Sequence, residues 1–144
     1  MPQKTSLSPE NQAFLSKIQK EYPFFSIKPG KKFLFRPQKT ILYEEKNTNF
    51  QLLLLHELSH ALLNHFTYKT SIERLQIERD AWEKTKILCE KYSIPFDENF
   101  IQDELDTYRN WLHQKTICKK CGLTCIETDN HSLFCPKCQK HFQI

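Results

Sequence analysis

The feature that most constrains this chain is an apolar run that contains two histidines and a glutamate. Residues 52–65 read LLLLHELSHALLNH. Polar side chains are costly to bury in such a run unless they are paired or bound to a metal ion. His56 and His60 are four residues apart, so on a helix they lie about 40° from each other and can face one ion. Glu57 can reach a water molecule beside that ion without being a ligand.

A third ligand is expected from the helix that follows, which begins at a capping box headed by Thr70 and extends to about residue 92. At about 100° per residue, one face of this helix is apolar, and Glu78 falls near the middle of that face. The face consists of Leu75, Ala81, Trp82, Leu88, Cys89 and Tyr92. A lone carboxylate is costly there unless it is bound, so Glu78 is the predicted third ligand and Asp80 the second choice.

The pattern HExxH is typical of sites in which a zinc ion lowers the pKa of a water molecule and the glutamate takes its proton. Two satisfied core histidines or a purely structural metal are the alternatives. The available third ligand favours a catalytic Zn²⁺ held by His56, His60 and Glu78, with Glu57 as the general base. If the helix continued, His65 would lie about 180° from His56, so it is expected to face the helix dipole or to support the ligands.

The remainder of residues 1–114 predicts an α+β domain. Helices are expected over residues 9–21, after Ser8 as N-cap, and from Asp97 onwards. The helix of the HELSH segment is expected to start at a capping box headed by Thr48. Aromatic-rich segments around a Pro29-Gly30 turn, followed by residues 40–43, predict a small antiparallel sheet packed on a zincin-like helical core. A substrate strand is expected to add to the sheet edge at residues 40–43.

Two CxxC pairs in the last part of the chain predict a second metal site. The pairs are separated by thirteen residues and can place four thiolates around one Zn²⁺. Four thiolates close the coordination sphere, so this zinc is expected to be structural and to stabilise a segment too short to fold alone. The sequence therefore predicts a zinc ribbon over residues 115–144, with the ligands Cys118, Cys121, Cys135 and Cys138.

Charge and composition bear on the compartment and the partners. The formal net charge is only +4, and no apolar leader or run of ~20 apolar residues is evident, so a cytoplasmic location without a membrane partner is expected. The ribbon carries five lysines against Glu127 and Asp129, an excess of three positive charges. That excess permits nucleic-acid contact, but a solvated lysine face on a structural or protein-docking ribbon is the favoured interpretation.

The segment LLLLHELSHALLNH, followed by IERDAW, resembles the ImmA/IrrE-like zinc metallopeptidases over roughly residues 24–92. The resemblance implies zinc-dependent hydrolysis of peptide bonds, with the same three ligands and the same general base. It also implies a protein substrate, such as a helix-turn-helix repressor. Ser59 stands where glycine is frequent in that family, and Asp80 and Trp82 also depart from its pattern, which bears on substrate preference.

Two other functions are consistent with the sequence. The SprT-like family of DNA-associated proteases also joins HExxH to a zinc ribbon, but its members typically draw a third histidine from further along the chain, where this chain offers Glu78. The other alternative is a non-catalytic zinc-binding regulatory module, in which the ribbon alone holds a metal.

Overall fold

The computed structural model describes residues 6–36, 38–128 and 132–143, which form four helices and two three-stranded sheets. The helices are α1 (Pro9–Glu21), α2 (Phe50–Leu62), α3 (Ser71–Tyr92) and α4 (Glu98–Thr116). The strands are β1 (Ser26–Pro29), β2 (Leu34–Arg36), β3 (Thr40–Tyr43), β4 (Ile126–Glu127), β5 (Ser132–Cys135) and β6 (Lys140–Gln143). The chain is therefore of the mixed α+β class, as predicted.

The first of two compact units comprises Met1–Phe66 and Ala81–Phe96, and so contains α1, the first sheet, α2 and the second half of α3. Helix α2 packs against α1, β2 and β3. Leu54, Leu55 and Leu58 on α2 are 0% exposed. Each fully buried leucine stabilises the fold by roughly 1.5–3 kcal/mol, so the helix that carries HELSH is firmly held.

The first sheet is mixed, and the prediction of an antiparallel sheet is wrong. Its order is β1-β3-β2, with β1 parallel to β3 and β2 antiparallel to it. The Pro29-Gly30 turn does not fold β1 back onto β2. Instead, the Gly30 N–H donates to the carbonyl of Tyr43 at 2.9 Å, and β3 lies between the other two strands.

The same arrangement overturns the expected substrate edge at Thr40–Tyr43. This segment is the central strand of the sheet, and both of its sides pair with a neighbouring strand. The edges of the sheet are β1 and β2, and β2 packs on α2.

One half of the predicted capping box at Thr70 forms, while the Glu73 carboxylate accepts a hydrogen bond from the Lys69 N–H at 2.9 Å. The Glu73 N–H donates to the hydroxyl of Thr70 at 3.3 Å, as expected for the start of α3. The capping box at Thr48 is wrong, because the N-cap of α2 is Asn49, whose side chain makes no cap bond. The Asn49 N–H is itself taken by the carboxamide oxygen of Asn47 at 2.8 Å.

The second compact unit comprises Thr67–Asp80 and Asp97–Ile144, and contains the first part of α3, α4 and the second sheet. This sheet is antiparallel in the order β4-β5-β6. The Arg74 guanidinium on α3 lies over three aromatic rings at 5.5, 5.4 and 4.8 Å from their centres, those of Tyr68, Tyr108 and Trp111. These cation–π contacts tie the start of α3 to α4.

The start of α3 also receives a side chain from the second sheet. The Glu127 carboxylate on β4 accepts hydrogen bonds from the Ser71 N–H at 3.0 Å and from the Ser71 hydroxyl at 3.1 Å. Ser71 is 1% exposed, so these bonds satisfy polar groups that would otherwise be costly to bury. A carboxylate also interacts favourably with the positive end of the helix dipole.

The two CxxC turns share one backbone shape. Gly122 and Gln139, each directly after the second cysteine of its pair, have positive φ angles of 79° and 51°. The N–H groups of these residues donate to the carbonyls of Cys118 and Cys135 at 2.8 and 2.7 Å. The left-handed conformation suits glycine and disfavours glutamine.

Gln139→Gly is therefore expected to raise the free energy of unfolding of the metal-loaded protein by about 1 kcal/mol. Gly122→Ala is the matched change in the other turn and should lower it by about the same amount, since nothing lies within 4 Å of an added Cβ and the cost is backbone strain alone. Thermal unfolding measures both. Equal losses of stability would contradict this explanation.

Candidate metal centres

Helix α2 brings the two histidines of HELSH together. Their Nε2 atoms lie 3.2 Å apart, and the side chains are only 6% and 8% exposed. Two nitrogens bound to one tetrahedral zinc at roughly 2.0–2.1 Å lie about 3.3 Å from each other. The separation and burial of His56 and His60 therefore fit two ligands of one ion.

Glu78 on α3 joins this pair. His56, His60 and Glu78 each offer a ligand atom, and all three atoms lie within 4.8 Å of one another. Asp80, the second choice, is exposed and paired with Arg79. The structure thus brings together the three predicted ligands, and we call this group the histidine site.

Trp82 holds one of the ligand rings. It lies one turn after Glu78 on α3, and its indole stacks on the imidazole of His56 with ring centres 4.0 Å apart and planes 23° apart. Trp82 is 2% exposed. The departure from the ImmA/IrrE pattern at this position thus places a rigid surface against a candidate ligand, which limits rotation of that ring.

His65 contacts the other ligand ring. Helix α2 ends at Leu62, and Asn64 takes a left-handed conformation with φ of 57°, so the chain turns back. The Nδ1 atoms of His65 and His60 then lie 3.0 Å apart. With Nε2 of His60 toward a metal, its Nδ1–H donates to His65, which is the usual way that a ligating imidazole is oriented.

Ser59 has a structural explanation in α2. Its hydroxyl lies 3.0 Å from that of Thr85 on α3, and the two hydroxyls also donate to the carbonyls of Leu55 and Ala81. Ser59 and Thr85 are both 0% exposed. This buried pair fixes α2 against the second half of α3, which a glycine at position 59 could not do.

Glu57 follows His56 on α2 and is partly exposed. This exposure suits a group that exchanges a proton with water. A further carboxylate, that of Glu104, is close enough to Glu78 for their negative charges to repel. The pKa of Glu104 on α4 is raised by burial, and then by the negative charges of Glu78 and Asp103. A cation held by Glu78 would relieve part of that repulsion.

The second group consists of the four ribbon cysteines, whose sulfur atoms lie within 4.8 Å of one another. Hydrogen bonds from the backbone N–H groups of Cys121 and Lys120 lower the pKa of Cys118 to about 6. The Cys138 N–H lowers the pKa of Cys135 in the same way. Such amides pre-stabilise thiolates for a metal. A hydrogen bond with Cys121, and then burial, raise the pKa of Cys138 to about 12, so metal binding must release this proton.

The two remaining cysteines lie outside this cluster. Burial raises the pKa of both Cys89 and Cys125 to about 11, so each is a neutral thiol near pH 7. Cys89 is 1% exposed on the apolar face of α3, and Cys125 is 6% exposed in the ribbon core. Both behave as small buried side chains.

Two contacts around the histidine site were missed from the sequence: the stack of Trp82 on His56 and the hydroxyl pair of Ser59 and Thr85. The contact of His65 with His60 agrees with one of the two roles expected for His65. The helical spacing does give a signal for Trp82, because this residue follows Glu78 by four positions and so lies next to the predicted ligand on α3. The position of His65 depends on the left-handed turn at Asn64, and asparagine is a residue that tolerates this turn.

Comparisons of the chain with protein-family models, curated proteins and solved structures found no match. Among the described residues, no helix has the length and apolar character needed to cross a membrane. The two groups of residues are therefore candidate metal sites on their geometry and donor chemistry.

Proposed function

We propose that this chain is a zinc-dependent endopeptidase that hydrolyses peptide bonds of a protein substrate. The observation that supports the proposal most is the convergence of His56, His60 and Glu78, with ligand atoms within 4.8 Å of one another, beside Glu57. Two imidazoles and one carboxylate leave a fourth position open, which is typical of catalytic zinc sites and not of structural ones.

The donor set fits zinc better than magnesium or calcium. Magnesium and calcium prefer oxygen ligands, whereas His56 and His60 contribute two nitrogens 3.2 Å apart. The contact of His65 with His60 and the stack of Trp82 on His56 orient both rings. This support is expected to keep the nitrogens aimed at one point before an ion binds.

A bound zinc ion would act as a Lewis acid toward the scissile carbonyl and the attacking water. Glu57 accepts a proton from that water as the oxygen adds to the carbonyl carbon. The C–N bond then breaks, and Glu57 returns the proton to the amine nitrogen that leaves. The glutamate is thus regenerated, and its partial exposure allows the next water to enter.

The substrate is expected to bind as an extended strand along β2. This strand is an edge of the first sheet and packs on α2, the helix that carries the candidate site. Main-chain hydrogen bonds to a sheet edge hold a peptide with little dependence on its side chains. A helix-turn-helix repressor in the cytoplasm is the substrate class that the ImmA/IrrE-like resemblance implies.

Counting metals separates this proposal from a ribbon that binds zinc alone. We expect two zinc ions per chain in the purified protein, and one after His60→Ala, because the histidine site loses a ligand. His113→Ala, which replaces an exposed histidine on α4, is the control and should retain both ions. One zinc per chain, unchanged by His60→Ala, would refute the histidine site.

Hydrolysis is tested on the same preparations. The two-zinc protein is expected to cleave an unfolded protein such as casein, to lose this activity on chelation and to recover it when zinc is returned. His60→Ala should remain inactive with the ribbon zinc bound. Undiminished cleavage by this variant would place the activity elsewhere.

A further inference from the structure

A cavity of about 900 Å³ lies on the ribbon at the end of α4. Its lining includes Lys115, Lys119, Lys120 and His141, above an apolar floor to which Phe142 contributes. Its volume is within the range of sites that bind organic ligands, roughly 300–1,000 Å³. In the described part of the chain, no carboxylate lines it. The cavity therefore presents three lysines and apolar surface, beside the candidate zinc ligand Cys118.

Glu127, the acidic residue on the described ribbon strands, does not neutralise the charge of this cavity. The Glu127 carboxylate is engaged by Ser71 and lines a different, smaller pocket of about 300 Å³. The sequence count alone gave an excess of three charges without saying where they lie. The placement of three lysines on one concave surface makes that excess local.

His141 and Phe142 line the cavity together with these lysines, and the rings of Trp111 and Phe134 contact the lining residues Lys115 and His141 from outside the lining. The Lys115 ammonium lies 4.8 Å from the ring centre of Trp111, and the same ring receives Arg74. The His141 ring lies 4.9 Å from that of Phe134, with planes 42° apart. Cations that follow a phosphate backbone and rings on which bases stack are the two elements that bind single-stranded nucleic acid.

We propose that this ribbon cavity binds single-stranded nucleic acid, with lysines on the phosphates and with the Phe142 ring against a base. An acidic peptide would use the lysines but would have no use for the aromatic faces. A duplex is the weaker candidate because its bases are stacked on one another and leave no free face for an aromatic ring. The inference does not depend on the proposed hydrolysis.

The test uses the full-length, zinc-loaded protein and fluorescence anisotropy with labelled 20-nucleotide single strands of DNA and RNA. The duplex of the same sequence and a 20-residue polyglutamate are the comparison probes. Lys119→Gln/Lys120→Gln is expected to weaken single-strand binding at least tenfold. The slope of log K against log salt should fall by about 1.4, since each phosphate contact contributes roughly 0.7.

Lys137→Gln/Lys140→Gln is the matched control, because it removes the same charge from the same ribbon at two residues outside the cavity lining. It should change affinity less than threefold. Phe142→Leu keeps an apolar side chain but removes the ring, and is expected to weaken binding about fivefold or more. Zinc content is measured for each variant to show that the ribbon is intact.

The difference in affinity between single-stranded DNA and single-stranded RNA shows which of the two nucleic acids the cavity prefers. Equal losses for the two lysine pairs would overturn the cavity as the site, since general charge would then explain binding. Equally tight binding of polyglutamate would instead indicate an acidic protein partner. Absence of single-strand binding at 100 mM salt and high protein concentration would refute the proposal.

Discussion

Glu57→Gln is expected to slow peptide-bond hydrolysis by about 10²–10⁴-fold, while both metal ions stay bound. Glutamine keeps the size of the side chain but cannot take the proton of the attacking water. Since Glu57 is not among the three residues whose ligand atoms converge, its replacement leaves that donor set unchanged. The variant should therefore separate proton transfer from metal binding.

Two measurements check this expectation. Zinc per chain should remain two, and the rate of casein cleavage should fall. New protein N-termini in cells that express wild type should be absent in cells that express Glu57→Gln, which would also identify the natural substrate. Glu83→Gln, an exposed acid of α3 paired with Lys86, is the control and should be fully active. Unchanged cleavage by Glu57→Gln would exclude Glu57 as the general base.

Cys135→Ala is expected to leave the ribbon metal-free and unfolded. Cys135 is 0% exposed, its sulfur accepts the Cys138 N–H at 3.4 Å, and it lies 3.5 Å from the sulfur of Cys121. Small zinc-binding modules rely on roughly 10–16 kcal/mol of metal-binding free energy for their fold. The hydrophobic core of the ribbon is too small to replace that contribution.

Cys125→Ala is the matched control for this prediction. Cys125 is also buried in the ribbon core, but its thiol is neutral at pH 7, with a pKa of about 11, and lies outside the four-cysteine group. It should keep two zinc ions per chain and resist proteolysis as wild type does. Rapid proteolysis within residues 115–144 is expected for Cys135→Ala alone. The same metal loss in both variants would mean that Cys125 has a role in the cluster.

Much of the candidate chemistry was predictable because it depends on local spacing. The period of a helix was enough to place His56 and His60 on one side of α2 and Glu78 in the apolar face of α3. The CxxC turns likewise fix two cysteines each within a few residues. These predictions needed no knowledge of the path of the chain between the elements.

The prediction of the first sheet was wrong because the order of its strands depends on pairing between segments that are distant in the sequence. The aromatic-rich runs and turn residues predict strands in this region, but they do not show that β3 lies between β1 and β2. The Gly30 hydrogen bond that settles the order is to Tyr43, thirteen residues away. The sequence likewise left two roles open for His65, because its contact with His60 requires α2 to end at Leu62. A helix extended by two turns would have separated these rings.

The hydrogen bonds between Glu127 and Ser71 join β4 of the ribbon to the start of α3, the helix that also carries Glu78. Opening of the first turn of α3 would break these bonds to β4. Glu78 lies two turns further along the same helix. If the cysteine cluster lost its metal and β4 became disordered, the first turn of α3 would lose the carboxylate that satisfies the buried Ser71.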